Sequence, residues 1–101
     1  MMLLIMFDLP RDTALDRKAA TNFQKRLIRL GFTMKQYSVY EREMRSSKTV
    51  DRLIEIIKSE SPKEGSITLY QLPNDVNNKQ IIILGSGEVH YVKTGPKIII
   101  V

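Results

Sequence analysis

No cysteine occurs in the 101 residues. Disulfides, thiolate zinc sites and cysteine nucleophiles are thereby excluded, and the absence fits a reducing cytoplasm. Histidine is nearly as scarce. His90 stands alone, in a weakly strand-forming stretch after Gly85-Ser86-Gly87, and reads as a surface or packing residue rather than a catalyst. Long apolar runs are missing too. The longest, Met1 to Phe7, is cut by Asp8 and Pro10, whereas a membrane-spanning helix needs roughly 20 apolar residues. That run also lacks the basic flank and small-residue cleavage site of a signal peptide. The reading is an intact cytoplasmic chain with no membrane partner. No P-loop, GxGxxG, zinc or basic-Gly-aromatic-Gly-Phe pattern is present, and the last absence argues against the commonest RNA-binding domain of similar topology.

What is present suffices for one core. Apolar residues make up 43% of the chain, too many for a disordered basic tail, and the length predicts a single domain over residues 1–101. Sixteen basic residues against eleven acidic ones give a net charge of +5. The excess is local. Between Arg11 and Lys35 there are seven basic residues and two acidic ones, while the remainder holds nine of each sign. A surface for a polyanion needs such a concentration; a helix that merely keeps the domain soluble would carry it as well.

Periodicity supplies the elements. The apolar run Met2 to Phe7 predicts a central strand covered on both faces. Leu9-Pro10-Arg11-Asp12 breaks it, and Asp12 or Thr13 is placed to cap a helix from Thr13 to Leu30. Leu15, Ala19, Phe23, Leu27 and Leu30 are its expected apolar stripe, with Gly31 as the terminating residue. At about 100° per residue, Lys18, Lys25 and Arg29 fall within roughly 40° of one another, as a basic flank beside that stripe. Phe32 to Met44 is strand-forming, but its alternation slips near Lys35-Gln36, which predicts a bulge or a bend between two short strands. Tyr37 and Tyr40 fall on opposite faces, so one of them should enter the core. A second helix follows Ser46-Ser47, with Val50, Leu53, Ile54 and Ile57 inward, and Ser61 to Gly65 ends it. Ser66 to Leu72 is a strand stopped by Pro73-Asn74-Asp75, and Ile81 to Leu84 reads as another. Lys93 to Lys97 forms a connector to Ile98-Ile99-Ile100-Val101, whose apolar side chains should pair with a sheet edge, its own or a partner's. The order predicts an α+β fold: a ferredoxin-like βαββαβ sheet with an extra C-terminal strand and two helices on one face. Dimerisation would relieve so small a core.

Asp8 is the sharpest chemical group, a carboxylate at the C-terminal end of the first strand, where layered α/β folds place ligands. Two roles stay open on local grounds: binding a cation, or capping the amides of the following turn. One carboxylate makes a poor Mg²⁺ site. A two-fold dimer would supply a second Asp8. Ser38 has no adjacent base and makes a poor nucleophile.

Met6-Phe7-Asp8-Leu9-Pro10, a basic helix ending in Leu30-Gly31-Phe32, and Gln36-Tyr37-Ser38-Val39-Tyr40 together resemble the second core CRISPR adaptation protein, a family of small CRISPR-associated endonucleases. The likeness is strongest over Met1 to Glu43. It implies a homodimer whose C-terminal strand crosses to the partner's sheet, and Mg²⁺ held by Asp8 of both protomers as catalytic and metal residue. It also implies metal-dependent cleavage of RNA or DNA, and a role in spacer acquisition as a dimer held between two integrase dimers, a heterohexamer lying against double-stranded DNA. Arg11, Arg17, Lys18, Lys25 and Arg29 would then hold backbone phosphates without reading bases. Many members carry tyrosine before the aspartate where this chain has Phe7. The competing reading is a structural DNA-binding adaptor with a vestigial nuclease site. A small-molecule regulatory domain is disfavoured by the basic segment and by the lack of a glycine-rich loop.

Overall fold

The computed structural model describes residues 1–85. The ambiguous stretch Val89 to Val92, which contains His90, the connector at 93–97 and the terminal Ile98 to Val101 lie outside the described residues. Seven elements occur in the order β1 (Met2–Asp8), α1 (Ala14–Arg29), β2 (Thr33–Gln36), β3 (Val39–Glu43), α2 (Ser47–Glu60), β4 (Ser66–Leu72) and α3 (Asn74–Asn77). The strands form one sheet in the order β2-β3-β1-β4, with every neighbouring pair antiparallel. This is the ferredoxin-like arrangement that the pattern predicts.

Local chemistry sets the boundaries. Thr13 caps α1 in extended backbone: its hydroxyl accepts from the Asp16 N–H at 3.0 Å, and the Asp16 carboxylate accepts from the Thr13 N–H at 3.3 Å. This reciprocal pair satisfies two amide donors of the first turn. At the other end Gly31 takes φ +90°, and Arg42 donates to the Leu30 carbonyl at 2.5 Å. A Cβ at Gly31 would sit 3.1 Å from the Arg42 Nε, so the close approach that lets arginine cover the helix end also requires glycine. The alternation slip appears as a register shift between Met34 and Gln36.

One face of the sheet holds the core. Leu3, Ile5 and Phe7 of β1 meet Ala20, Phe23 and Leu27 of α1 and Val50, Leu53 and Ile57 of α2. Phe7 packs edge-on to Phe23 at 5.3 Å and stacks on Tyr40 at 5.7 Å. Tyr40 is the tyrosine that enters the core, and burial pushes its phenol above the ordinary value, with Tyr37 adding to the shift. The expected stripe on α1 is displaced. Leu15 is 79% exposed and Ala19 is exposed, whereas Ala20 is buried. Phe23 and Leu27 define the inward direction, and Ala20 lies on their side of the helix while Leu15 does not.

The second face is covered in part only, which corrects the expectation of a strand enclosed on both sides. Met2 is buried although it stands outside the core cluster, while Met6 is 39% exposed. α1 and α2 lie on the opposite face, and the chain that follows β4 passes to the far edge of the sheet. Pro73 opens α3, and beyond it the Gln80 side chain accepts from Lys35 on β2, the far edge of the sheet. Lys35 also lies 3.9 Å from Glu41. This crossing explains a second correction. Ile81 to Leu84 is not a strand, and Ile81, Ile83 and Leu84 are 60–90% exposed, because the chain has left the β4 edge on which a further strand would have paired.

Candidate active site

The C-terminal end of β1 gathers the polar groups that the sequence singles out. Asp8 is the last residue of the strand and is exposed. On one side it pairs with Ser66, the first residue of β4. Its neighbour Leu9 is buried, so the chain turns inward immediately after presenting the carboxylate. Gly65 makes this packing possible. It has φ +108°, and a Cβ there would lie 2.7 Å from the Asp8 carbonyl oxygen and 2.8 Å from Leu9 Cδ2. Sequence reading passes over Gly65 as part of a loop, though a glycine directly before a strand is the available signal.

On the other side stands the β2–β3 hairpin. Gln36 pairs with Val39, so Tyr37 and Ser38 form a two-residue tip. Of the non-glycine residues described, Ser38 alone has a positive φ, at 62°. The conformation costs a residue with a Cβ about 1–2 kcal/mol. The surrounding bonding holds it: the Ser38 carbonyl accepts from the Phe7 N–H at 3.1 Å. The contribution of Ser38 here is its backbone, in keeping with its poor prospects as a nucleophile. Phe7 points into the core against Phe23 and Tyr40, away from the exposed Asp8.

Arginines frame the same end. The Arg11 guanidinium lies over the Tyr37 ring, 5.4 Å from its centroid, and Arg17 donates to the Arg11 carbonyl at 3.1 Å. Arg11 therefore reaches the hairpin tip, and Arg17 holds the Arg11 backbone. Lys18, Lys25 and Arg29 do neither. All three are exposed on α1, and since Ala20, Phe23 and Leu27 are its buried residues, helical geometry puts them on the crest opposite the core rather than beside it. Among the described residues none of these five cations is ion-paired, whereas Arg26 is held by Glu60. A shallow depression of about 210 Å³, lined by Leu9, Pro10, Asp16, Ala20, Pro62 and Lys63 among others, lies on the helical side and has no catalytic constellation.

The Asp8 carboxylate takes part in none of the side-chain hydrogen bonds or ion pairs found among the described residues. Capping of the following turn falls to Thr13 and Asp16 instead. An exposed, unengaged carboxylate suits a hard cation, which takes oxygen ligands and retains several waters. No three histidine, aspartate or glutamate side chains gather within metal-binding reach among the described residues. Asp8 therefore fits Mg²⁺ only as one carboxylate of a larger ligand set.

Comparison with known proteins accords with this geometry. The sequence model of the family described as "CRISPR associated protein Cas2" matches residues 1–80. A CRISPR-associated endoribonuclease Cas2 of Streptococcus mutans is 31% identical over 99 residues, covering 98% of this chain and 91% of the relative. The protein of the same description from Paracidovorax avenae is 36% identical over 85 residues, covering 84% and 79% of the two chains. Among solved structures, Streptococcus pyogenes Cas2 superposes with a TM-score of 0.58 at 25% identity, covering 74% of this chain and 89% of the other. Matches of this extent, with Asp8 at the strand end of a ferredoxin-like sheet, place the chain in the Cas2 family of CRISPR-associated proteins.

Proposed function

We propose that the chain is a Mg²⁺-dependent endonuclease of CRISPR adaptation, with Asp8 as catalytic and metal-binding residue. The observation that carries this reading is the exposed Asp8 carboxylate at the end of β1, engaged by no side chain among the described residues, with Arg11 on the turn that follows and Arg17 bonded to the Arg11 backbone. Relatives named endoribonuclease support phosphodiester hydrolysis as the chemistry. When bound, Mg²⁺ would polarise a phosphate and lower the pKa of a coordinated water. The chain's own residues supply the rest. Asp8 holds the cation, Arg11 and Arg17 draw in and orient the phosphodiester, and the Ser38 tie to Phe7 together with Gly65 fixes the strand end on both sides.

A homodimer completes the site by adding a second Asp8. Met6 and Tyr70, 39% and 48% exposed on the partly covered sheet face, support self-association, as does the unpaired outer edge of β4 among the described residues. In the cell we place this dimer in the cytoplasm, between two integrase dimers and against double-stranded DNA, as a participant in spacer acquisition. The crest of Lys18, Lys25 and Arg29 would take the DNA backbone.

That crest also favours a second reading, a structural adaptor with a vestigial nuclease site. It faces away from the sheet on which Asp8 stands, so duplex binding there needs no chemistry at Asp8. One variant separates the two. Asp8→Ala should abolish Mg²⁺-dependent cleavage of RNA and DNA while duplex affinity stays within about twofold, because phosphate contacts dominate that affinity. Cleavage by Asp8→Ala at the wild-type rate overturns the catalytic assignment, and intact spacer acquisition by the same variant favours the adaptor.

A further inference from the structure

Tyr37 is an exposed aromatic that the core does not use and the metal chemistry does not require. Its exposure is 66%, and the Arg11 guanidinium lies over the ring, 5.4 Å from the centroid. Its place in the fold is specific. β1 and β3 pair Met6 with Val39, and the next step is made by the Phe7 N–H on the Ser38 carbonyl. Tyr37 is the next residue of the hairpin tip, which this bond holds beside the end of β1, while Ser66 faces Asp8 from the other side. The tip is held by the positive φ of Ser38 and by that backbone bond, so the ring is carried on a constrained two-residue loop. The positive φ that favours asparagine or glycine in such loops falls on Ser38, leaving position 37 open to any side chain. The ring lies outside the core cluster, and Arg11 is the contact found for its face among the described residues.

We propose that Tyr37 is a base-stacking platform, so that the nucleic acid engaged at Asp8 presents an unpaired nucleotide there. Every base offers a flat face to an aromatic ring, and such stacking tolerates any sequence. Arg11 pins the ring by its cation–π contact and keeps its charge for the phosphate beside the stacked base. A base within a duplex is already stacked on both sides and cannot use the platform. The inference rests on the nuclease reading and adds to it the side chain that would take the base beside the carboxylate.

The test is binding without metal, so that cleavage and its loss do not enter the readout. Fluorescence anisotropy in EDTA would measure the affinity of the full chain for a short labelled single-stranded RNA and for the same strand annealed to its complement. Tyr37→Ala should weaken single-strand binding about 5- to 150-fold, the range of one lost base stack, and leave duplex binding within about twofold. Tyr37→Phe should bind the single strand like wild type, since the ring rather than the hydroxyl is used. The proposal is overturned if the wild type fails to bind the single strand, if Tyr37→Ala binds it normally, if both forms weaken equally, or if Tyr37→Phe is as damaging as Tyr37→Ala. Because Asp8→Ala removes cleavage without touching the platform, failure of the catalytic assignment would leave these affinities unchanged.

Discussion

Replacing Gly65 with alanine tests whether the end of β1 is held as tightly as the geometry requires. The φ of +108° lies beyond the left-handed well near +57° that other residues occasionally enter, and left-handed backbone alone costs about 1–2 kcal/mol. The new methyl would also stand 2.7 Å from a backbone oxygen, that of Asp8. A side-chain neighbour could rotate away, whereas this atom belongs to the strand. Overpacking of this kind costs about 1–3 kcal/mol. Against these stands a gain of about 0.4–1 kcal/mol from restricting the unfolded chain. The net loss is then about 1–4.6 kcal/mol, centred on about 3, a large part of the stability of a domain this size. Urea unfolding at fixed protomer concentration, since self-association adds to apparent stability, should show a midpoint lowered by about 1–2 M with an unchanged slope. Gly85→Ala is the control. Its Cβ would meet only the Ile82 side chain at 3.2 Å, with no positive φ, and should move stability by less than about 0.5 kcal/mol. Equal midpoints for Gly65→Ala and wild type would refute the claim that β4 is seated against Asp8 through this glycine.

Two further outcomes follow from charge and burial. Replacing Lys18, Lys25 and Arg29 together with alanine should weaken binding to duplexes of any sequence and reduce the slope of log affinity against log salt by up to about 3, one step per lost phosphate contact; an unchanged slope in a salt titration would remove the crest from the DNA surface. The raised phenol of Tyr40 carries a definite sign. The folded state keeps its proton above the unfolded value near 10, so its stabilising contribution is whole below that pH and declines as pH rises toward the folded value. Thermal unfolding between pH 9 and about 11 should therefore show a shallower alkaline loss for Tyr40→Phe than for wild type, and parallel curves would contradict the assignment.

Much of the fold was legible because short-range patterns and long-range packing agree. Val50, Leu53 and Ile57 sit at helical spacing and are the buried residues of α2; the alternation slip at Lys35-Gln36 is the register shift beside the hairpin tip. Reading went astray where a residue's surroundings are decided by distant chain. Leu15 and Ala19 fit an apolar stripe numerically, yet the sheet meets α1 through Ala20, Phe23 and Leu27, and the basic crest consequently points outward rather than sideways. The apolar run of β1 suggested two covered faces, but on the second Met2 is buried, Leu4 half-buried and Met6 exposed, and the chain after Pro73 crosses the sheet instead of extending its edge. The Ile81 to Leu84 segment has strand composition but joins no strand among the described residues. At the candidate site Asp8 and Arg11 could be picked out by residue type and position. Tyr37 could not, since its relation to Asp8 exists only through the β1–β3 register.

The placement of charge bears on how one small domain could handle both duplex and unpaired nucleic acid. Lys18, Lys25 and Arg29 lie on the outer crest of α1, and a flat array of exposed cations holds phosphates at any position along a duplex. Arg11 and Arg17 stand at the strand end instead, where Arg11 is engaged with Tyr37 and Arg17 with the backbone of Arg11. Cations held in place by neighbours lose less conformational freedom on meeting a ligand than free ones do. The two groups should therefore separate by substrate. Loss of the crest weakens duplexes through the salt-dependent term, whereas loss of Arg11 frees the Tyr37 ring and weakens the unpaired strand. Measured on one preparation, Arg11→Ala should lower single-strand affinity more than duplex affinity and the triple crest variant the reverse; identical effects on both ligands would mean that a single undivided surface binds nucleic acid.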